Sequence, residues 1–173
     1  MRAMRGFGLL EVVLAMGIVA LVLGSVIGVL RMATRRSDLA ARRVSAMYLA
    51  QESLEQARAL RDSAAQDGRN NRWTELFGAS SASGRFSHES DPVIGNRWMF
   101  RQQASETIQL DGVSYVRTTT VGPLPEEYAT QLGLNASAVQ QLGRRVEAHV
   151  KWGEAAGESV RAATYLMDWR PGS

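Results

Sequence analysis

Between Phe7 and Leu30 the chain runs for 24 residues, of which only Glu11 can carry a charge. As a helix, such a segment is about 36 Å long, against a bilayer hydrocarbon core of about 30 Å. It can therefore cross a membrane. A secretory signal peptide would have a basic start, a shorter apolar core and a small-residue cleavage site after it. Here the apolar run passes directly into Arg31, Arg35 and Arg36. A plain single-pass anchor explains the length but not the carboxylate. At the centre of a spanning helix a carboxylate costs roughly 2–3 kcal/mol, and less near an end. Glu11 lies near the N-terminal end, where the helix dipole tolerates negative charge.

The composition narrows the alternatives. A chain of 173 residues suits one domain plus an appendage. Charged residues make up 21% and apolar residues 45%, a globular balance. Of 20 basic residues, Arg2 and Arg5 precede Gly6, which leaves 18 against 17 acidic residues beyond it, a balance of +1. No dense basic run or aromatic stacking motif follows, so nucleic acid is not the expected partner. Cysteine is absent, so no disulfide staples the fold. No CxxC, HExxH, GxSxG or Gly-rich phosphate loop occurs, and no enzymatic activity, metal or cofactor is expected. His88 and His149 are isolated and are expected to be structural or solvated.

The stretch RGFGLLEVVLAM resembles the start of type IV prepilins and of the related type II secretion pseudopilins. That signature is a basic leader ending in glycine, then phenylalanine, then an apolar helix with glutamate fifth. Gly6, Phe7 and Glu11 occupy those places, with Leu9 and Leu10 between, while Gly8 replaces the more usual threonine or serine. The resemblance covers about the first 30 residues. It implies that a prepilin peptidase cuts between Gly6 and Phe7 on the cytoplasmic side and methylates the new Phe7 amine. Arg2 and Arg5 would hold the leader inside. Glu11 would then pair with a Phe7 amine, its own or a neighbour's, when a subunit enters a filament. In apolar surroundings neither charge is cheap alone, so pairing favours one register.

Many major pilins carry a proline about two-thirds along this helix. Here the first proline is Pro92, and the equivalent stretch is GSVIG. Gly24 and Gly28 form a small-xxx-small pair that suits close helix packing. They also weaken the helix, at up to ~1 kcal/mol per glycine relative to alanine, so a flexible point is the alternative.

Residues 31–62 contain no glycine or proline. Val44, Met47, Ala50, Leu54, Ala57 and Leu60 recur at helical spacing and predict an amphipathic face, with Glu52, Glu55, Arg58 and Arg61 on the other side. One helix from Phe7 to Asp62 would be on the order of 80 Å long. A membrane-anchored rod with its outer half covered by a small head is the economical arrangement. A coiled coil fits less well, since the stripe is alanine-rich and lacks heptads.

Residues 63–96 read as a polar connector, with GASSASG as a flexible stretch and RWTELF as one helical turn pinned by Trp73, Leu76 and Phe77. Alternation predicts a first hairpin over 97–122 around LDG, with Trp98, Phe100 and Gln102 on one face. A second hairpin flanks GEAAG, with Val146, Ala148, Val150 and Trp152 inward and Glu147, His149 and Lys151 outward. Between them, Pro125 suits a helix start and Asn135 a second cap, giving a helical insertion near 125–142.

The fold expected is therefore α+β and pilin-like. Residues 1–6 are a leader, 7–30 the membrane or filament-core half of a long helix, 31–62 its amphipathic half, 63–96 the connector, and 97–173 an antiparallel four-stranded head. The lack of a C-terminal disulfide points within the resemblance to a minor pilin that initiates, caps or modulates a type IV pilus. A minor pseudopilin at a type II secretion pseudopilus tip is the close alternative. A membrane-tethered enzyme or sensor, and DNA binding through Arg97, Arg101, Arg117, Arg144 and Arg145 should they share a face, are other classes. The partners implied are the peptidase and methyltransferase, other pilins, an inner-membrane assembly platform and lipid. The location implied is a single inner-membrane pass with the head periplasmic, then the filament.

Overall fold

The computed structural model describes residues 8–66, 77, 82–91, 95–133, 135, 139, 142–153 and 158–167. The elements in order are α1 (Leu9–Gln66), β1 (Ala82–Asp91), β2 (Gly95–Gln102), β3 (Glu106–Leu110), β4 (Val113–Gly122), α2 (Glu126–Leu132), β5 (Gly143–Trp152) and β6 (Ser159–Met167). The chain divides into two compact units, Met1–Ala41 and Arg42–Ser173.

In the first unit, α1 continues without a break through Gly17, Gly24 and Gly28, and every described residue is exposed. This part of α1 is long and apolar enough to cross a membrane, and none of its apolar window is buried within the chain.

The second unit is a two-layer α+β head. Its antiparallel sheet has the order β2-β1-β4-β5-β6, and β3 also pairs with β4. The expected four strands are thus six. Residues 63–96 are not connector throughout, because 82–91 form β1 and β2 begins at Gly95. His88, expected in a polar loop, lies in β1 opposite Trp98. The last three residues of GASSASG, Ala82–Gly84, pair with Val121, Thr120 and Thr119 of β4. The first hairpin is also different. β2 turns back onto β1, and only Glu106–Leu110 pairs with β4. The non-alternating Gln103-Ala104-Ser105 separates the two.

The LDG turn forms as expected. Leu110 pairs with Val113, and Asp111 and Gly112 both have positive φ, 50° and 74°. That pair of left-handed residues is the type I′ turn favoured by two-residue hairpin loops. β5 and β6 form the second hairpin, with Val150 opposite Val160 and Ala148 opposite Ala162. α2 begins after Pro125, whose carbonyl accepts from the Tyr128 amide at 3.1 Å, and ends at Gly133, which has φ 64°. At the Asn135 cap, the Asn135 carbonyl accepts from the Val139 amide at 3.1 Å. The rest of that turn lies outside the described residues.

Alternation packs the sheet on the helix. Val146, Ala148, Val150 and Trp152 are buried, as the sequence predicts, together with Tyr115, Val121, Val160 and Leu166. α1 answers with Ala46, Ala50, Leu54, Ala57 and Leu60. Val44 and Met47, expected on this stripe, are about half exposed; Ala46 and Ser53 take the inward positions instead. Alanine and serine let the helix backbone approach the sheet where valine and methionine would hold it away. Each large apolar side chain so buried contributes about 1.5–3 kcal/mol. Phenylalanine rings extend the same core beneath β1 and β2. Phe86 lies 5.1 Å from Phe100, and Phe77 lies 6.4 Å and 5.9 Å from them, ring centre to ring centre. Phe77 is buried as expected, whereas Trp73 and Leu76 lie outside the described residues.

Candidate functional site

The residues with expected roles lie mainly in the first unit. Gly6 and Phe7 fall outside the described residues. Glu11 occupies the first turn of α1, where its amide donates to the Gly8 carbonyl at 2.9 Å. Its negative charge faces the positive end of the helix dipole. Glu11 shares a shallow helix face with Ala15, Val19 and Leu23. The hydroxyls within and just past the apolar run are satisfied locally. Ser25 Oγ donates to the Val22 carbonyl at 2.7 Å, and Thr34 Oγ1 donates to the Leu30 carbonyl at 2.8 Å. Such back-bonding removes the cost of placing a hydroxyl in apolar surroundings. At Gly24 and Gly28 an added Cβ would meet nothing within 4 Å. The small-residue face is therefore open along this chain.

In the second unit the structure brings together a group not foreseen from the sequence. Inward alternation on β4 places Arg117 between Tyr115 and Thr119, beneath α1, with its side chain only 6% exposed. Nη1 donates to Glu52 Oε2 and to the Leu49 carbonyl, both at 3.0 Å. Nη2 and Nε donate to Glu106 Oε2 at 2.7 and 3.1 Å. One guanidinium thus ties α1, β3 and β4. Glu52 was expected to decorate the helix surface; it reaches Arg117, while Glu55 pairs with Arg58 and Arg61 with Asp62. Beside Arg117, Ser53 and Thr119 share a buried hydroxyl contact of 2.7 Å. The parity of Arg117 with Tyr115 and Val121 was the available signal.

The arginines do not form the strip considered for DNA. Arg117 and Arg144 lie on the helix side of the sheet and are buried, whereas Arg101 and Arg145 lie on the opposite side. Burial pushes the Arg144 guanidinium below its ordinary value. The side chain of Arg97 lies outside the described residues. His149 faces outward on β5 as expected, between Thr118 and Arg161. Burial first, then Arg161 and Lys151, push its imidazole below the ordinary value, while Glu147 acts the other way. Among the described residues, no three His, Asp or Glu side chains gather in a metal-binding group.

The candidate site of the first unit is thus a surface, an exposed apolar helix with one acid in its first turn; in the second unit Arg117 fastens the sheet to Leu49 and Glu52 of α1. No family model, curated protein or solved structure matches this chain.

Proposed function

We propose that the chain is a filament subunit, a minor pilin that initiates, caps or modulates a type IV pilus after removal of residues 1–6. One observation carries this reading: an apolar helix, exposed along its length and charged only at Glu11, continues as the helix on which a small antiparallel head is built. A soluble protein does not leave such a surface open, since exposed apolar area of this extent marks an interaction site or membrane contact. Lipid covers it before assembly, and neighbouring helices cover it in the filament. In that dry setting Glu11 needs a positive mate. Cleavage after Gly6 supplies one, because the Phe7 nitrogen is an amide before the cut and an amine after it. Gly24 and Gly28 then let a neighbouring helix approach closely.

Mass spectrometry of the mature N-terminus, in a host with a competent prepilin peptidase, tests the proposal. The expected chain starts at Phe7 and carries one added methyl group. A chain that keeps Met1, or one cut near residue 30, overturns it.

A further inference from the structure

Strand register sets Arg101, Arg85, Thr118, His149 and Arg161 in one line on the outward face of the sheet, three of the five positions being arginines. Arg101 of β2 pairs with Arg85 of β1. Arg85 lies one residue past the Gly84–Thr119 pair and so beside Thr118 of β4. Thr118 pairs with His149 of β5, and His149 with Arg161 of β6. Five strands at spacings of about 4.8 Å make a row about 19 Å long. Arg85, Arg101 and Arg161 are exposed, as is Lys151 on the same side of β5. Glu147, the carboxylate next to His149 on this face, is held by Arg145 at 2.7 Å. Burial first, and then Arg161 and Lys151, depress the His149 imidazole.

We propose that this row binds a linear acidic polysaccharide, whose carboxylate or sulfate groups sit in the guanidinium forks. The shape of the row favours a chain of spaced anions over a globular partner or a membrane plane, either of which would be met by a broad patch. The fork geometry of arginine suits planar or tripod anions. Among the outward neighbours, Ser83, Thr120 and Ser159 are small and hydroxylated, like Thr118 within the row, which suits a hydroxyl-rich chain, while Met99, Val116 and Ala163 offer apolar contact to its ring faces. Among the described residues, no aromatic ring stands in the row or beside it to stack the bases of a single-stranded nucleic acid. A duplex would offer the row only one of its two backbones. This binding is separate from filament membership and stands without it.

The test uses the full chain in non-ionic detergent, with heparin and polygalacturonate as probes. Retention at low salt that declines as salt rises is expected for both. Arg85→Gln with Arg161→Gln should lower affinity by about tenfold or more. Arg35→Gln with Arg36→Gln removes the same charge from exposed positions on α1 and should change affinity by less than about twofold. Should the first pair alter the near-UV circular dichroism, the single variant Arg161→Gln on edge strand β6 supplies the reading, again as lost affinity. Absence of retention, equal loss in both pairs, or tighter binding of duplex DNA or anionic vesicles than of either polysaccharide overturns the proposal.

Discussion

Ser53 on α1 and Thr119 on β4 meet hydroxyl to hydroxyl at 2.7 Å, with both residues almost wholly buried. Each would be an unsatisfied polar group without the other. Ser53→Ala or Thr119→Val alone is expected to cost about 1–2 kcal/mol. The double variant should cost less than the sum by about 1 kcal/mol, since it leaves no stranded partner. Thermal unfolding of the four proteins checks this, and strict additivity would contradict the pairing.

Arg117 fastens the same two elements more strongly. Arg117→Met should destabilise the head by about 2–3 kcal/mol, less than a fully buried pair would lose because Glu52 can rehydrate. Glu52 is 52% exposed against 26% for Glu106. Arg117→Lys should lose about half of that, since one ammonium cannot reach both carboxylates and the Leu49 carbonyl in a fork. Equal melting temperatures for wild type and Arg117→Lys would refute the geometric role.

Gly84 of β1 lies opposite Gln102 of β2. An added Cβ would collide with the Arg101 carbonyl oxygen and the Phe100 ring. The carbonyl is backbone and cannot swing aside. Gly84→Ala is expected to lower stability by about 1–3 kcal/mol and to loosen the Phe77–Phe86–Phe100 cluster. Unchanged unfolding and an unchanged near-UV spectrum would refute it.

Acid should weaken the head through His149. Its folded-state value is lowered, so the unfolded chain binds the proton more readily. The stability His149 supports is present above about 6.5 and is lost as pH falls from there toward the lower folded value. The charged groups facing it are Arg161 on β6 and Lys151 and Glu147 on β5; Thr118 on β4 is neutral. His149→Gln should flatten the difference in melting temperature between pH 7 and 5. A variant with the wild-type slope would exclude this residue as the cause.

Glu11→Val is expected to insert into membrane as well as the wild type yet to enter filaments at least about fivefold less, because the Phe7 amine loses its counter-charge. Immunoblots of sheared filaments and of membrane fractions separate the two effects. Equal incorporation would end the assigned role of Glu11.

These expectations differ in how far the sequence alone supports them. The β5–β6 hairpin was legible because Val146, Ala148, Val150 and Trp152 alternate with polar residues. β1 was not, since two of its inward residues are Ala82 and Gly84, which carry almost no hydrophobic signal and continue a serine-rich run. The helix stripe slipped for the same reason. Ala46 and Ser53 mark close approach through small size, which hydropathy does not register, while Val44 and Met47 look inward on paper and remain exposed. The burial of Arg117 was not legible, because its carboxylate partners come from positions far apart in the chain. The assembly residues at the N-terminus rest on motif spacing, a signal that is local in the chain and independent of packing.

β4 changes neighbours along its length, with β3 beside Val113–Arg117 and β1 beside Thr119–Val121. The β1–β2 arm and β3 therefore share a support without touching each other's ladder. Mutational drift can lengthen, shorten or re-decorate the arm while the rest of the head keeps its register. A subunit built this way can diversify what it presents outward while its seat on α1 stays the same.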